Sequence, residues 1–317
     1  MDQFQKLEEK YQIGDTASLE YQGILAQVFL FSYNQKEKRI PRRAEGVWSL
    51  TSRGEDYHRV IRRRLLAYAK DFQKLMKREF PFRVEVDTQE VSERYLALKA
   101  GLGFIGKNQN LISPKLGSFV YIGVIYWSMD VKDFPIKKKE EVQISCGSCE
   151  LCVNACPGKA LTTKGDYILE SCVSFLSQDK RILNLEEMEK LGHHLYGCDL
   201  CQRVCPYNQG KEESPIEEFH YQAEEANIEV LDFLSLTNGQ IKELYHECSG
   251  LWRGLGILRR NALVNAFHAY QKGNISYQEM KEILDRSFIH QSPLVIQTRA
   301  QLFAIMEDKE RIKNEKR

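Results

Sequence analysis

The chain has no stretch apolar enough to cross a bilayer; its best run, Phe119 to Trp127, falls far short of the ~20 residues required. No export signal opens it. Its nine cysteines crowd into one region instead of spreading as a disulfide framework would. Membrane-spanning and secreted disulfide-rich classes are therefore excluded, and a reducing cytoplasm is the expected compartment. An excess of one charge is also missing, since the formal net charge is +1. That balance hides local asymmetry. Residues 35–70 carry eleven Lys or Arg against four acids, and residues 211–232 carry eight acids against one lysine. A basic face can hold a phosphate backbone, although a solvated helix face is the commoner meaning of a charge run. With 317 residues and 43% hydrophobic content there is room for more than one domain and a sizeable core.

The cysteines carry the strongest signal. Cys146-Gly-Ser-Cys149-Glu-Leu-Cys152-Val-Asn-Ala-Cys156-Pro157 has the C-x2-C-x2-C-x3-C-P spacing of two-cluster ferredoxins. Three cysteines on a tight loop grip one inorganic cube, and the fourth points at its neighbour. The later run, Cys198-Asp-Leu-Cys201-Gln-Arg-Val-Cys205-Pro206, lacks one cysteine of the pattern, which Cys172 supplies. Cys146, Cys149, Cys152 and Cys205 are thus assigned to one 4Fe–4S cluster, and Cys156, Cys172, Cys198 and Cys201 to the other. Two zinc sites would also use eight thiolates, but zinc sites come as separated C-x2-C pairs. Cys248 has no cluster partner and reads as a plain thiol.

Around this segment the pattern changes. Residues 1–21 give no firm signal. Ile24 to Tyr33 reads as a buried strand, Asp56 to Phe80 as a helix ended by Pro81, and Phe82 to Val86 as a short strand. Residues 90–100 look helical up to Gly101. Leu116 to Trp127 reads as a strand region with bends at Gly117 and Gly123. An acidic, weakly patterned stretch follows Pro206, and helices are expected at Arg260–Lys272, Ser276–Phe288 and Pro293–Glu307. Gly101-Leu-Gly103-Phe-Ile-Gly106 matches the dinucleotide fingerprint, yet a helix precedes it where a strand is required, and Asn108 follows Lys107 where a phosphate loop needs Ser or Thr. Gly101 is better read as a helix C-terminus, with Gly103 and Gly106 allowing close backbone approach.

Two adjacent clusters relay single electrons and do not by themselves transform a substrate, so the residues before them are expected to hold a substrate or a second redox centre. Val86-Asp87-Thr88, the run from Lys99 to Asn108, Gly117-Ser118 and Cys172-Val-Ser-Phe-Leu176 resemble the epoxyqueuosine reductases. So do Tyr196-Gly-Cys-Asp199, Ser249-Gly-Leu-Trp-Arg-Gly254 and Arg259-Arg-Asn-Ala262, and the likeness extends over residues 20–305. The resemblance implies a monomeric oxidoreductase with two 4Fe–4S clusters and cobalamin, fed by an external low-potential electron donor. Its implied reaction is reduction of epoxyqueuosine to queuosine at the wobble position of tRNA, with the anticodon stem-loop as partner. The implied fold class is α+β: a cobalamin-binding α/β domain related to reductive dehalogenases (1–141), a ferredoxin-like domain (142–210), and an acidic connector with a HEAT-like helical domain (211–317). It also implies Asp87 as the proton donor, and Asp87, Lys107, Ser113, Ser118, Ser174 and Asp199 as cobalamin contacts. The tRNA surface would combine Arg42 and Arg43 of the basic region with Trp252, Arg253, Arg259 and Arg260.

An aspartate serves as an acid at neutral pH when burial raises its pKa, so burial of Asp87 is expected; the competing expectation is a cap for the following helix. Set against the family, the sequence is expected to lack its additional N-terminal segment and to have a short helical domain, and Val124 stands where the family has glutamate. Three other readings remain open: a ferredoxin-type electron carrier, a corrinoid-dependent reductase of another substrate, and a zinc-based nucleic-acid binder.

Overall fold

A computed structural model describes residues 3–36, 43–88, 92–136, 138–220, 227–246 and 248–315. The stretch without a firm sequence signal folds into helix α1 (Gln3–Lys10) and strand β1 (Asp15–Tyr21). β1 turns through Gln22 and Gly23, both with positive φ, into β2 (Ile24–Ser32), whose Ile24 faces Tyr21. β2 is the spine of the first region. Leu25, Phe29 and Phe31 belong to one core and Ala26, Val28 and Leu30 to another, as the two-residue period of a strand buried on both faces requires. β3 (Glu45–Trp48) and the short α2 (Leu50–Arg53) follow, and then α3 (Tyr57–Met76).

α3 stops before Pro81 is reached. Lys77 takes a left-handed conformation (φ 50°), and the N–H groups of Lys77 and Arg78 bond the carbonyls of Lys74 and Gln73, a Schellman-type end. β4 (Phe82–Glu85) leads through Asp87 to α4 (Glu93–Lys99), a small hairpin of β5 (Phe104–Ile105) and β6 (Leu111–Ile112), and β7 (Val120–Trp127). The sheet order is β1-β2-β7-β4, with every neighbouring pair antiparallel. α3 covers one face and α4 the other. Gly123 is a notch rather than a bend, because a Cβ there would lie 2.6 Å from Leu65 Cδ1 and 2.8 Å from Ile61 Cγ2 of α3. Val124 is buried on the α4 side. The hairpin at 104–112 replaces the helix that a dinucleotide fingerprint would need.

The cysteine segment contains α5 (Leu151–Ala155), α6 (Val173–Leu176), α7 (Leu185–Leu191), β8 (His194–Tyr196) and α8 (Leu200–Arg203). After it come β9 (Asn227–Glu229), α9 (Val230–Ser235), α10 (Asn238–Leu244), α11 (Leu255–Gln271), α12 (Tyr277–Arg286) and α13 (Pro293–Glu315). The three expected domains are not separate packing units. β3 is the centre of a second sheet, parallel to β8 and antiparallel to β9, so each of the three regions contributes one strand. One core likewise joins Trp48, Leu176, Leu195 and Phe233 to α11, α12 and α13.

α11 is buried all round, including four polar residues. Arg260 is fully buried and donates to the carbonyls of Leu176, Asp179 and Arg181, while Asn261 donates to those of Ser177 and Leu195. Arg259 is also buried and is spent on Asn238 Oδ1 and the Leu236 carbonyl. The expected tRNA role of Arg260 is therefore corrected, because its guanidinium satisfies backbone acceptors in the interior, whereas Arg259, although held by Asn238 and Leu236, borders a surface cavity with Lys242 and His290. Arg42 lies outside the described residues. Part of the basic run is neutralised internally, with Arg63 and Arg64 both bonded to Glu218 of the acidic stretch.

Candidate active site and cluster cavities

The two short helices α5 and α8 are built alike. Each has a cysteine at its second position, Cys152 or Cys201, and is followed by a Cys-Pro pair that breaks the helix. This sorts the cysteines into two groups. Cys146, Cys149, Cys152 and Cys205 line one cavity of about 250 Å³. Cys156, Cys172, Cys198 and Cys201 line a second, of about 500 Å³. Four thiols around each void suit the corners of a cube. Burial pushes the thiols of Cys152, Cys198, Cys201 and Cys205 upward, Cys201 to about 12, so thiolates there need a metal's positive charge to stabilise them. Cys248 is a plain buried thiol beside the Arg53 carbonyl.

The larger cavity is a cleft between the first region and the cysteine segment. Facing the second cysteine group are Tyr33, Thr51, Arg94, Asn108, Gln109 and Asn110. Asn108 borders both cavities, and its buried Nδ2 has no hydrogen-bond partner. That orphaned donor fits a polar acceptor on a bound group. It was not singled out in the sequence, although it ends the glycine-rich run that carried the family resemblance.

Of the expected cobalamin contacts, Ser174 lines this cleft. Lys107, Ser113, Ser118 and Asp199 are committed elsewhere. Lys107 donates its backbone N–H to Cys146 Sγ (3.4 Å) and its Nζ to the carbonyls of Gly147 and Cys149 (3.0 Å each), tying down the first cysteine loop. Ser113 closes a turn with Leu116 and Gly117. Ser118 is knitted to Gln202 and Asn208. Asp199 is buried, accepts from the Leu50 N–H, and pairs with Arg203 at 2.8 Å. These four hold the walls together and leave no free polar group for the cleft.

Asp87 follows β4 with φ 51°, the left-handed region, which is uncommon for a residue other than glycine. It is not a helix cap: Ser92 caps α4, accepting from the Tyr95 N–H. Nor is it deeply buried, its side chain being 62% exposed. Its carboxylate accepts from Tyr57 Oη at 2.6 Å and lies 3.4 Å from His58 Nε2, and His58 Nδ1 lies 2.7 Å from Asp56 Oδ1. The expected upward pKa shift is therefore reversed. His58 chiefly, with help from Tyr57, stabilises the ionised form and holds Asp87 below its usual range, against an opposing effect of burial that is smaller than that of His58 but larger than that of Tyr57, while Asp87 and Asp56 raise His58. Tyr57 stacks on Tyr121 (4.3 Å, 5°), and Tyr121 on Tyr33 (4.2 Å, 27°), which lines the cleft and lies beside Gln202. A column of tyrosines thus connects Asp87 with the wall next to Cys201.

Toward the C-terminus, Trp252 is 68% exposed and carries the Arg253 guanidinium 4.0 Å from its ring centre. Arg253 also lines a cavity of about 460 Å³ that shares Tyr167, Leu169 and Ser174 with the main cleft. Arg43 is exposed and paired with Glu279 at 2.5 Å.

Fold and site together define an iron–sulfur protein with two cysteine cages beside a cleft, and a carboxylate at the end of an aromatic column. A family model described as a 4Fe-4S double cluster binding domain matches residues 145–208, and one described as epoxyqueuosine reductase QueG matches residues 22–88. The epoxyqueuosine reductase of Bacillus subtilis is 36% identical over 241 residues, covering 75% of this chain and 61% of that protein. A crystal structure of an epoxyqueuosine reductase with an epoxyqueuosine-modified tRNA-Tyr stem loop is 32% identical with a TM-score of 0.75, covering 89% of this chain and 73% of that one. A Bacillus subtilis structure with its catalytic loop swung out of the active site is 31% identical with a TM-score of 0.73, over the same shares of the two chains. The chain belongs to the epoxyqueuosine reductase family. No described helix is long and apolar enough to cross a membrane.

Proposed function

We propose that the chain reduces epoxyqueuosine to queuosine in the anticodon loop of tRNA, as a monomer fed by an external low-potential donor. The observation that carries this reading is Arg94, which lines the cleft facing Cys156, Cys172, Cys198 and Cys201 and whose charge acts on Asp87, together with the tyrosine column that runs from Asp87 to that cleft. The likeness to a relative crystallised with a modified tRNA stem loop supports the substrate. Removing the epoxide oxygen breaks two carbon–oxygen bonds, takes up two electrons and two protons, and leaves an alkene and water. The clusters, when bound, supply electrons singly, and cobalamin supplies a metal able to deliver them as a pair. Asn108 and Ser174 are the residues placed to hold the corrinoid.

The chain's own part is proton supply and positioning. In the resting arrangement the proton belongs on His58, between Asp56 and Asp87. Its transfer to Asp87 makes the neutral acid that protonates the departing oxygen. Tyr57 keeps the carboxyl aimed during that transfer. Arg43, Trp252 and Arg253 are the exposed groups suited to the stem-loop, as a phosphate contact and a stacking pair.

The test is incubation of the reconstituted protein with cobalamin, a strong reductant and an epoxyqueuosine-bearing stem-loop, followed by nucleoside analysis. Queuosine is expected, and Asp87→Asn is expected to retain iron and corrinoid but not turnover. If the loaded protein passes electrons to a dye yet leaves the nucleoside unchanged, the chain is an electron carrier and the proposal fails.

A further inference from the structure

Asp87 has a left-handed backbone that its own type does not require, so its neighbours must hold it there. The sequence just beyond it supplies the grip. The Thr88 N–H donates to Glu93 Oε1 at 3.0 Å, and the Asp87 N–H is directed at the same carboxyl group. The Thr88 hydroxyl donates to Glu85 Oε2 at 2.9 Å, and Glu85 is itself fixed by Arg83 at 2.8 Å. One carboxyl group from the start of α4 therefore gathers two successive amides where the chain reverses.

We propose that Glu93 is a positioning residue that latches Asp87 and Thr88 to the start of α4. The inference rests on Asp87 being the proton donor. Glu93 is itself sensitive to pH. Burial, with a smaller contribution from the negative charge of Asp87, raises it to about 7, against opposing hydrogen bonds from the loop amides. The other charged or titratable groups around it are Tyr57, His58 and Arg94 near Asp87, Glu85 and Arg83 on β4, and Tyr126 on β7. With the loop latched the group titrates at about 7, and released into water it returns to the ordinary value of 4.5. A raised pKa in the latched state means that protons favour latching. The effect is complete below the ordinary value and is lost as pH rises through about 7. A loop that closes with uptake of a proton suits a reaction that consumes protons.

The test is hydrogen exchange of the Asp87 and Thr88 amides in the cluster-loaded full chain, corrected for intrinsic rates, at pH 5.5 and 8. Wild-type protection is expected to fall by roughly ten- to thirtyfold across that interval, the size set by a group that titrates at about 7 when latched and at 4.5 when released. Glu93→Gln keeps an uncharged acceptor and is expected to remain protected at both pH values. Glu93→Ala is expected to be unprotected at both, with amides of β4 and β7 unchanged as a check on folding. In turnover, Glu93→Ala should lower kcat while leaving KM for the stem-loop intact. Unchanged protection in Glu93→Ala, or the same pH response in all three proteins, overturns the latch. Exchange is read without turnover, so a catalytically indifferent Asp87→Asn would defeat the assignment of the acid separately.

Discussion

Replacing Tyr57 by Phe removes one hydroxyl and little else. The ring keeps its stack on Tyr121 at 4.3 Å, so the aromatic column is preserved while the 2.6 Å bond to Asp87 disappears. Burial and the Asp87 hydrogen bond raise the Tyr57 phenol well above its usual range, so it is a donor at every working pH. A hydrogen bond to a charged group contributes ~1.5–3 kcal/mol when protected from water. Asp87 is 62% exposed, so solvent replaces much of that loss and the net effect falls to about 0.5–1 kcal/mol. At 1.36 kcal/mol per unit, this is a pKa change of about half a unit. Its sign follows from what is lost: the hydroxyl bonds the ionised form, so its removal raises the Asp87 pKa. In the resting pair the proton sits on His58, so the limb of the pH–rate profile on which activity falls with rising pH reports the pair; a more basic Asp87 carboxylate holds that proton harder and should move the limb upward by about half a unit at most. Single-turnover reduction of the modified stem-loop between pH 5 and 8 reads that limb. His58→Asn removes the group that carries the proton, so the limb should instead drop toward the ordinary carboxyl range and the step should slow. A limb that stays put or moves downward in Tyr57→Phe refutes the account of how Asp87 is held.

Three further outcomes follow from the same geometry. Arg260→Ala leaves three interior carbonyls without their cationic donor and should cost about 3–5 kcal/mol, read as a lowered urea midpoint; an unchanged midpoint with weakened, salt-dependent RNA binding would restore the surface role. Cys172→Ser should cut bound iron by about half, leaving the Cys146 group intact, and full iron retention would reassign the ligand. Trp252→Ala should weaken stem-loop binding by ~1–3 kcal/mol in an anisotropy titration without changing the melting temperature, because the side chain is 68% exposed.

The cysteine grouping was legible because its spacing is a local covalent constraint: a loop of fixed length can place three thiols around one void. Strand β2 was legible for a similar reason, since an unbroken apolar run reports burial on both faces. What escaped was set by contacts distant in sequence. β3 is four residues inside a basic stretch, and β8 and β9 are three each, so none has a period to detect; each exists because the others complete its hydrogen bonds. Arg259 and Arg260 looked like surface cations because arginine is mostly exposed, and only the carbonyls of residues 176–181 and 236 explain their burial. The direction of the Asp87 shift was missed because Tyr57 and His58 lie about thirty residues earlier, at the start of another element.

The opposite charge runs and the Arg-Arg-Asn motif therefore have a common meaning. Arg63 and Arg64 bind Glu218, while Arg260, Asn261 and Asn265 bind carbonyls between residues 176 and 195. All of these bonds join the cysteine segment or the acidic stretch to something outside it. β3, which enters the shared sheet, is separated from Tyr57 by little more than α2, and Leu50 at the start of α2 bonds Asp199 between two cysteines. Among the described residues, hydrogen bonds thus tie the first region to the wall of the cleft that carries Cys198 and Cys201. Among the described residues, Asp87 combines a left-handed backbone with a neighbouring titratable restraint, Glu93, so that contact is where a change of protonation acts on the site.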